Sequence, residues 1–374
     1  MKIMKNTWSS RALQPGKEEY RDFKHKTDIL LPKIVPYRTE QAMRTIGMGR
    51  CCAIIDPICA DHDNPSHPEC NARLVNACLG IPQDIALLEP EPALREDVER
   101  VHDPCYLSWL EQRCAATATL GWLDSDTYIT RRSFDVALHA AGAAIAAVER
   151  SIGGEHCFAF VRPPGHHAEF DRAMGFCLIN NVAVAAKKVL ENVDTIAIVD
   201  WDAHHGNGTQ NSFYGTDRVL YCSVHQEHFF PYSGTVDEVG AGAGKGYTIN
   251  APLQAGSTIA DYYHVFSEIF VPAIERFSPD VMIVSAGQDI LFDDPIGRMR
   301  IRPVDFEPLT RMIVRAAGVP LALVLEGGYS PSHGAAVQHI FAGLTSDGTV
   351  NAPGIPSERT QKIVSWLKSE HRLP

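Results

Sequence analysis

The chain has 374 residues, of which 45% are hydrophobic and 21% are charged, as is typical of a folded globular protein. Its ten cysteines are scattered and form no C-x-x-C pair. In a long chain without a signal-peptide pattern this favours reduced thiols over a disulfide framework. No apolar run is long enough to span a bilayer, so we expect no membrane partner and a cytoplasmic location.

Charge is distributed unevenly along the chain. Residues 1–50 carry a net charge of +6, whereas the remaining residues carry −17. An acidic body repels nucleic acid and attracts cationic ligands, so we predict no direct nucleic-acid partner. Residues 1–48 are predicted to form an N-terminal extension to a main domain at residues 49–374. We favour an arm packed on the body or on a neighbouring subunit, which leaves homo-oligomerisation open; an organelle transit segment is the alternative.

Strand-like and helix-like segments alternate from residue 51 onwards. The predicted strands are residues 51–55, 158–161, 195–199, 219–222, 281–284 and 321–325. The predicted helices are an alanine-rich segment capped by Ser133 and running to residue 152, then residues 181–190, 258–277 and 304–317. This alternation is typical of right-handed βαβ units and predicts an α/β domain with a central, mainly parallel sheet flanked by helices.

A polar motif follows each of the last five predicted strands. The motifs are Arg162-Pro-Pro-Gly-His-His167, Asp200-Trp-Asp-Ala-His-His-Gly-Asn-Gly208, Ser223-Val-His225, Ser285-Ala-Gly-Gln-Asp289 and Glu326-Gly-Gly-Tyr329. Ligands of open α/β sheets bind beyond the carboxyl ends of the strands. Five such motifs, rich in Asp and His, therefore predict one shared site.

The second and fourth motifs carry the residues of a metal site. Asp200, Asp202 and His204 are spaced by two, which at a strand end places them on one face. Asp289 follows another strand, and a single aspartate there is often only a helix N-cap. The whole set favours a divalent metal. Two carboxylates and one imidazole leave a fourth position open, which is the pattern of catalytic metal sites.

The remaining motifs supply groups that handle protons and charge. His166 and His167 follow a stiff Pro-Pro-Gly turn, and histidine is the usual general acid or base near neutral pH. Asp200 and Asn207 are candidates for orienting these rings. Tyr329 can donate to a developing oxyanion, although a rim position is the alternative. With metal-activated water, these groups fit amide hydrolysis without a covalent intermediate.

From residue 51 to 344 the chain resembles the zinc-dependent histone deacetylase and acetylpolyamine amidohydrolase family. Two further segments carry the resemblance, His67-Pro-Glu-Cys-Asn-Ala-Arg-Leu74 and Met174-Gly-Phe-Cys-Leu-Ile-Asn-Asn181. Because it has Asn207, the chain resembles the class II-like branch of the family, which includes bacterial and plastid members. The resemblance implies a single arginase-like α/β domain that deacetylates lysine side chains. Acetylated polyamines or other small amines are the alternative substrates, and a non-catalytic acyl-lysine-binding module is the third hypothesis.

The resemblance also implies individual roles. Zinc would be bound by Asp202, His204 and Asp289, with ferrous iron as the alternative metal. His166 and His167 would handle protons, Tyr329 would polarise the carbonyl, and Asp200 would face His166 rather than the metal. Potassium is implied at Asp200, Ser223 and the carbonyls of Asp202, His204 and Val224, and at a second site of Phe213, Thr216, Val219 and Tyr247. The substrate-contacting residues implied are Phe176, Phe230, Gly175 and Asp126. Gln288 departs from the family, which usually has an aromatic residue there.

Overall fold

A sheet of nine parallel strands forms the centre of the fold, which a computed structural model describes for residues 34–36, 50–348 and 352–374. The predicted extension, residues 1–48, lies outside the described residues except for Ile34–Pro36, so its boundary stays a prediction. Ile34–Pro36 pairs in parallel with Ala86–Glu89 at one edge of the sheet. No helix within the described ranges has the length and apolarity needed to cross a bilayer.

The strands confirm the predicted α/β class. They are β1 Ile34–Pro36, β2 Cys51–Ile55, β3 Ala86–Glu89, β6 His156–Phe160, β7 Ile196–Asp200, β8 Val219–Gln226, β9 Thr248–Leu253, β10 Val281–Ser285 and β11 Leu321–Val324. A small antiparallel pair, β4 Gly121–Trp122 and β5 Tyr128–Ile129, stands apart. The sheet order is β1-β3-β2-β6-β11-β10-β7-β8-β9. Every residue of β6, β7, β10 and β11 is buried, because helices cover both faces of a parallel sheet.

Eleven α-helices surround this sheet in the part of the chain that the structure describes. They are α1 Asn71–Cys78, α2 Arg95–Val98, α3 Pro104–Ala115, α4 Ser133–Ile152, α5 Asn181–Val189, α6 Asn207–Phe213, α7 Ile259–Val265, α8 Val271–Phe277, α9 Phe306–Ala317, α10 His333–Thr345 and α11 Glu358–His371. The prediction that Ser133 caps α4 is wrong. Ser133 is the first helical residue, and its Oγ instead lies 2.6 Å from His62 Nδ1.

The predicted single helix over residues 258–277 is continuous but not uniform. A π-helical turn, Phe266–Phe270, separates α7 from α8. Pro272 lies in the first turn of α8 and has no backbone N–H to donate. The regular hydrogen-bond ladder is therefore interrupted where the π turn forms.

Strand β8 is longer than predicted. Its eight residues include Ser223 and His225, which were expected to follow the strand rather than lie in it. The extension is held from both sides, because Ser223 pairs with Asp200 of β7 and with Asn250 of β9. The Ser-Val-His motif therefore lies within the sheet, between β7 and β9, and not in a loop that follows β8.

Candidate metal and active site

The sheet order brings four of the five motifs to one edge. Strands β6, β11, β10 and β7 are consecutive neighbours, and the loops that leave their carboxyl ends carry His166, Tyr329, Asp289 and Asp202. Side chains that are more than 160 residues apart in sequence therefore meet in space. This meeting is the geometry that the motif spacing predicted.

Asp202, His204 and Asp289 form a tight cluster. His204 Nδ1 lies 3.1 Å from Asp202 Oδ1 and 2.8 Å from Asp289 Oδ2. One potential ligand atom from each residue lies within 4.8 Å of the others. Backbone groups hold the carboxylates in place, since Gly327 N donates to Asp202 Oδ2 at 2.9 Å and Ala203 N donates to Asp289 Oδ1 at 2.7 Å.

The charges of this cluster fit a cation. Burial and the neighbouring Asp202 carboxylate raise the pKa of Asp289 to about 7. Burial alone would lower the pKa of His204, but its hydrogen bonds to both carboxylates raise it to about 10. Two buried carboxylates this close therefore need positive charge between them. The donor set of two carboxylates and one imidazole fits a divalent metal that supplies that charge.

Gly327 leaves the space that such a cation requires. A Cβ at this position would lie 2.7 Å from both Asp202 Oδ2 and Asp289 Oδ2. Any side chain would therefore push between the two carboxylates. Gly327, the first glycine of the pair after β11, therefore keeps the space between the two carboxylates open.

The histidine pair lies beside the metal cluster, with each ring held by a different partner. His166 Nδ1 is 3.1 Å from Asp200 Oδ2, whereas His167 Nδ1 is 2.8 Å from Asn207 Oδ1. The ring centroids of His166 and His167 are 4.0 Å apart. Asp200 and Asn207 thus occupy the orienting positions that the sequence predicted for them.

The different partners separate the protonation of the two histidines. Burial would lower the pKa of His166, but the carboxylates of Asp202 and Asp200 raise it to about 10. Burial lowers the pKa of His167 well below its usual value, and the positive charges of His166 and His204 lower it further. Near neutral pH, His166 therefore carries a proton while His167 can accept one.

A cavity of about 180 Å³ has the cluster in its lining. Every residue predicted to be catalytic, to bind the metal or to contact substrate lines it, together with Pro164, Phe229, Ile296 and Gly327. Phe176 and Phe230 are among its walls, and the Phe230 ring stands edge-on to His167 at 5.0 Å. Gly175 has a φ of +57°, and a Cβ there would lie 2.5 Å from His167 Cδ2. Only glycine therefore allows the backbone at position 175 to lie this close to the His167 ring.

Tyr329 lies in the same cavity and is fixed from several sides. Its backbone N donates to Asp294 Oδ2 at 2.7 Å, and its ring stands at 88° to that of Phe176. The Arg73 guanidinium carbon lies 5.3 Å from the Tyr329 ring centroid. Burial raises the pKa of the phenol well above its usual value although Arg73 opposes the shift. The hydroxyl therefore remains a hydrogen-bond donor.

Asp126 lies at the cavity lining, as the sequence predicted. Burial and the nearby Asp124 carboxylate raise the pKa of Asp126 to about 6. Asp124 in turn accepts hydrogen bonds from the backbone of Asp126 and of Thr127. This lining thus carries a carboxyl group that can accept a hydrogen bond from a ligand.

The residues predicted to bind potassium lie outside the cavity lining, apart from Asp202 and His204. Asp200 and Ser223 are paired across β7 and β8, so the two side chains proposed for the first site are neighbours. In the second set, Thr216 N donates to Phe213 O at 3.2 Å. Tyr247 O accepts from Tyr221 N within β8, the strand that begins at Val219.

Gln288, the departure from the family pattern, is fully buried and does not line the cavity. Its side chain donates to Ala286 O and pairs with His333 Nε2. Its backbone N donates to Gly327 O at 2.9 Å. In place of an aromatic ring, a Gln–His pair therefore links the loop after β10 to the first residue of α10.

Sequence reasoning missed the buried charges that support the site. Glu326 Oε2 accepts from the backbone of Gly165 and His166, at 2.7 and 3.1 Å. Glu69 is buried between Arg162, at 2.7 Å, and Arg73, at 3.1 Å. Each of these residues stands within a quoted motif, but their pairing over long sequence separations leaves no local pattern.

Comparisons with known proteins agree with this geometry. The family profile for the histone deacetylase domain matches residues 64–344. A "probable deacetylase" of Archaeoglobus fulgidus is 41% identical over 71% of this chain and 77% of its own length. A "histone deacetylase-like amidohydrolase" of Pseudomonas aeruginosa is 38% identical over 78% and 79%. The chloroplastic histone deacetylase 14 of Arabidopsis thaliana is 33% identical over 87% and 82%. Among solved structures, the HDA15 HD domain matches with a TM-score of 0.80 and 31% identity, over 86% of this chain and 94% of that one.

Proposed function

The chain belongs to the histone deacetylase family and is a deacetylase, and from this premise we propose that it uses zinc to remove acetyl groups from lysine side chains. The observation that carries the proposal is the cluster of Asp202, His204 and Asp289 in the lining of a cavity of about 180 Å³ with aromatic walls. A slender acylated amine fits such a cavity better than a bulky substrate. Turnover of a fluorogenic acetyl-lysine peptide by the purified protein tests this proposal.

Asp202, His204 and Asp289 would hold the zinc, because their donor set and the space left by Gly327 suit a divalent ion. When bound, the metal lowers the pKa of water and polarises the substrate carbonyl. Ferrous iron is the alternative, since carboxylate and imidazole ligands accept both ions. We further propose a structural potassium ion beside Asp200 and Ser223, which are neighbours across β7 and β8.

The protein side chains would divide the remaining work of hydrolysis. His167, held by Asn207, takes the proton of the attacking water. Tyr329 donates its hydroxyl proton in a hydrogen bond to the carbonyl oxygen as negative charge develops there. His166, kept protonated by Asp200 and Asp202, then delivers a proton to the leaving amine. The acetyl group departs as acetate and the lysine amine is released.

The proposed division between the histidines predicts a pH profile. In the wild-type protein kcat/KM should fall at low pH, because His167 is then protonated and accepts no further proton. It should stay level towards alkaline pH until His166, with a pKa of about 10, loses its proton. Replacement of His166 or His167 by alanine should reduce kcat severely. The pH–rate profiles of the residual activities then test which histidine accepts the proton and which donates it. An acidic limb that is unchanged in His167→Ala would assign the base to another group.

Small acetylated polyamines are the second candidate substrates, and the Asp126 carboxyl at the cavity lining favours them by offering a partner for a second ammonium. Against them, Ile296 lines the same cavity with an apolar side chain. The carboxyl of Asp294, two residues before Ile296, is occupied by the backbone of Ile296, Gly297 and Tyr329. The available acid is therefore confined to the Asp126 region.

We predict a preference for acetyl-lysine peptides over acetylspermidine. A rim acid strengthens binding of an ammonium only when it is well placed, and the apolar Ile296 offers no second contact. Measurement of kcat/KM for both substrates with the same preparation decides between them. A preference of about 100-fold or more for the acetylpolyamine, roughly 3 kcal/mol, would overturn the lysine assignment.

A non-catalytic acyl-lysine-binding module is the third hypothesis. The side chains that line the cavity argue against it. A binding module has no need for a proton acceptor, a proton donor and an oxyanion donor around one metal cluster. His166, His167 and Tyr329 are all present and all line the cavity. The arrangement therefore favours turnover over binding alone.

A further inference from the structure

A chain of hydrogen bonds runs from His167 to Glu169, a carboxylate outside the cavity lining. His167 Nδ1 lies 2.8 Å from Asn207 Oδ1. The Nδ2 of that same amide donates to Glu169 Oε1 at 2.6 Å, and to His167 O at 3.3 Å. Asn211 Nδ2 also donates to Glu169, at 2.9 Å to Oε1 and 3.1 Å to Oε2.

The protein fixes the position of Glu169 from its backbone as well. Glu169 N donates to Arg172 O at 3.0 Å, and His102 Nδ1 lies 2.8 Å from Glu169 O. Asn207 is the first residue of α6, and Asn211 is one turn further along the same helix face. Both amides therefore reach one carboxylate whose backbone is anchored independently.

This arrangement permits only one orientation of the Asn207 amide. A side-chain amide has a donating end and an accepting end of nearly the same shape, so its hydrogen-bond partners decide which way it faces. The Glu169 carboxylate only accepts, so the NH₂ group must face it and the oxygen must face His167. That oxygen also only accepts, so His167 Nδ1 must carry the ring proton. The lone pair is then on Nε2, the nitrogen that Asn207 does not contact.

We propose that Glu169 is a positioning residue for the hydrolysis, which through Asn207 selects the tautomer of His167 that can take a proton from water. Glu169 contributes no proton itself and does not line the cavity. Its effect is to exclude the flipped amide, in which the NH₂ group would face His167 Nδ1 and place the ring proton on Nε2. The inference rests on the proposed deacetylase function.

An exchange of acid and amide between the two positions tests the proposal. Glu169→Ala removes the acceptor that holds the NH₂ group of Asn207, so the flipped amide becomes accessible. In Glu169→Gln, the one carbonyl oxygen can take the place of Oε1, where it accepts from both Asn207 and Asn211, so the orientation of Asn207 is kept. In Asn207→Asp, two carboxylates face each other across the former 2.6 Å contact. The double variant Glu169→Gln/Asn207→Asp restores complementarity, because the new NH₂ group donates to the new carboxylate, which accepts from His167 Nδ1.

The expected result is loss in Glu169→Ala and in Asn207→Asp, and recovery in the double variant Glu169→Gln/Asn207→Asp. Loss of a residue that orients a reacting group typically costs about 10- to 100-fold, and a wrong histidine tautomer can cost more. Glu169→Ala and Asn207→Asp should therefore each lose about 10- to 100-fold in kcat on the acetyl-lysine peptide, with KM and zinc content changed by less than about threefold. Glu169→Gln, which keeps the acceptor, should stay within about threefold of the wild-type kcat. The double variant should return to within about threefold of the wild-type kcat. A purely structural role would give additive losses instead.

Glu238→Ala is the matched control for Glu169→Ala. Gln210 Nε2 donates to Glu238 Oε2 at 2.6 Å, and Gln210 Oε1 lies 3.0 Å from His205 Nε2. The same chemical change thus falls on a similar histidine–amide–carboxylate chain, but His205 does not line the cavity. Its kcat should stay within about threefold of the wild type. An equal loss in this variant would show a general effect of removing a carboxylate and would overturn the assignment.

Two other outcomes overturn the proposal, and they separate it from the proposed function. If the wild-type protein turns over the peptide but Glu169→Ala keeps its kcat, or the double variant is no better than Asn207→Asp, only the role of Glu169 is wrong. If the metal-loaded wild-type protein turns over no acetylated amine, the deacetylase function fails as well. Should Glu169→Ala fold poorly, Glu169→Leu replaces it with the same expected loss, and no loss overturns the role. The loss stays limited because Asn207 keeps its bond to His167 O.

Discussion

Asn in place of Asp289 is expected to abolish metal binding and to reduce kcat by at least about 1,000-fold. Asp289 supplies one of two carboxylates in a three-residue donor set and lies 2.8 Å from His204 Nδ1. Loss of a Lewis acid removes several kcal/mol of transition-state stabilisation, and 1,000-fold corresponds to about 4 kcal/mol. Asp202→Asn and His204→Ala should behave alike. Zinc content per chain and turnover of the acetyl-lysine peptide, measured on the same samples, check this expectation.

Asp280→Asn is the matched control for Asp289→Asn. Asp280 precedes β10 at the edge of the sheet opposite the site, where its carboxylate accepts from the backbone of Asp194 and Thr195. The same substitution at the other end of one strand should leave zinc content and kcat unchanged. A chelator should likewise remove wild-type activity, and added Zn²⁺ should restore it. Full activity in exhaustively metal-free protein would contradict the proposal that this cluster binds a catalytic metal.

Strands that contain a continuous run of buried apolar residues could be predicted from the sequence. A strand whose apolar run is broken by a buried polar residue could not. Strands β6, β7, β10 and β11 are buried at every position, so their apolar runs stand out in the sequence. Strand β9, Thr248–Leu253, was not predicted, because Asn250 and Pro252 interrupt its apolar pattern. Asn250 is buried and donates to Gln210 Oε1 at 2.7 Å. A hydrogen bond to a distant helix therefore satisfies the side-chain N–H of a residue that the local pattern disfavours.

The candidate site could be predicted where parallel strands decide it. Asp202, Asp289 and Tyr329 follow strands that are neighbours in the sheet, and the topology brings such loops to one edge. Contacts between a loop and a distant helix follow no such rule. Arg73 packs over the Tyr329 ring from α1. Glu169 reaches Asn207 at the start of α6. These supporting residues become visible only when the chain is folded.

Replacement of Tyr329 by phenylalanine is expected to reduce kcat by about 100- to 1,000-fold, or roughly 3–4 kcal/mol, as loss of one oxyanion donor typically does. The substitution keeps the ring, which packs against Phe176 and under Arg73, and removes only the hydroxyl. Burial holds the pKa of this phenol well above its usual value, so the donor is present throughout the neutral range. Because the donor acts on charge that develops in the transition state, KM should change little.

Tyr106→Phe provides the comparison that isolates the oxyanion contact. Tyr106 is also a buried phenol, but its hydroxyl donates to Leu178 O at 2.7 Å and lies outside the cavity lining. Its removal should cost about 1 kcal/mol of stability and leave kcat unchanged. In Tyr329→Phe the zinc content should equal that of the wild type, because the metal cluster is made by other residues. If Tyr329→Phe keeps a kcat within about threefold of the wild type, Tyr329 is a rim residue. The metal and the histidine pair would then carry the reaction without it.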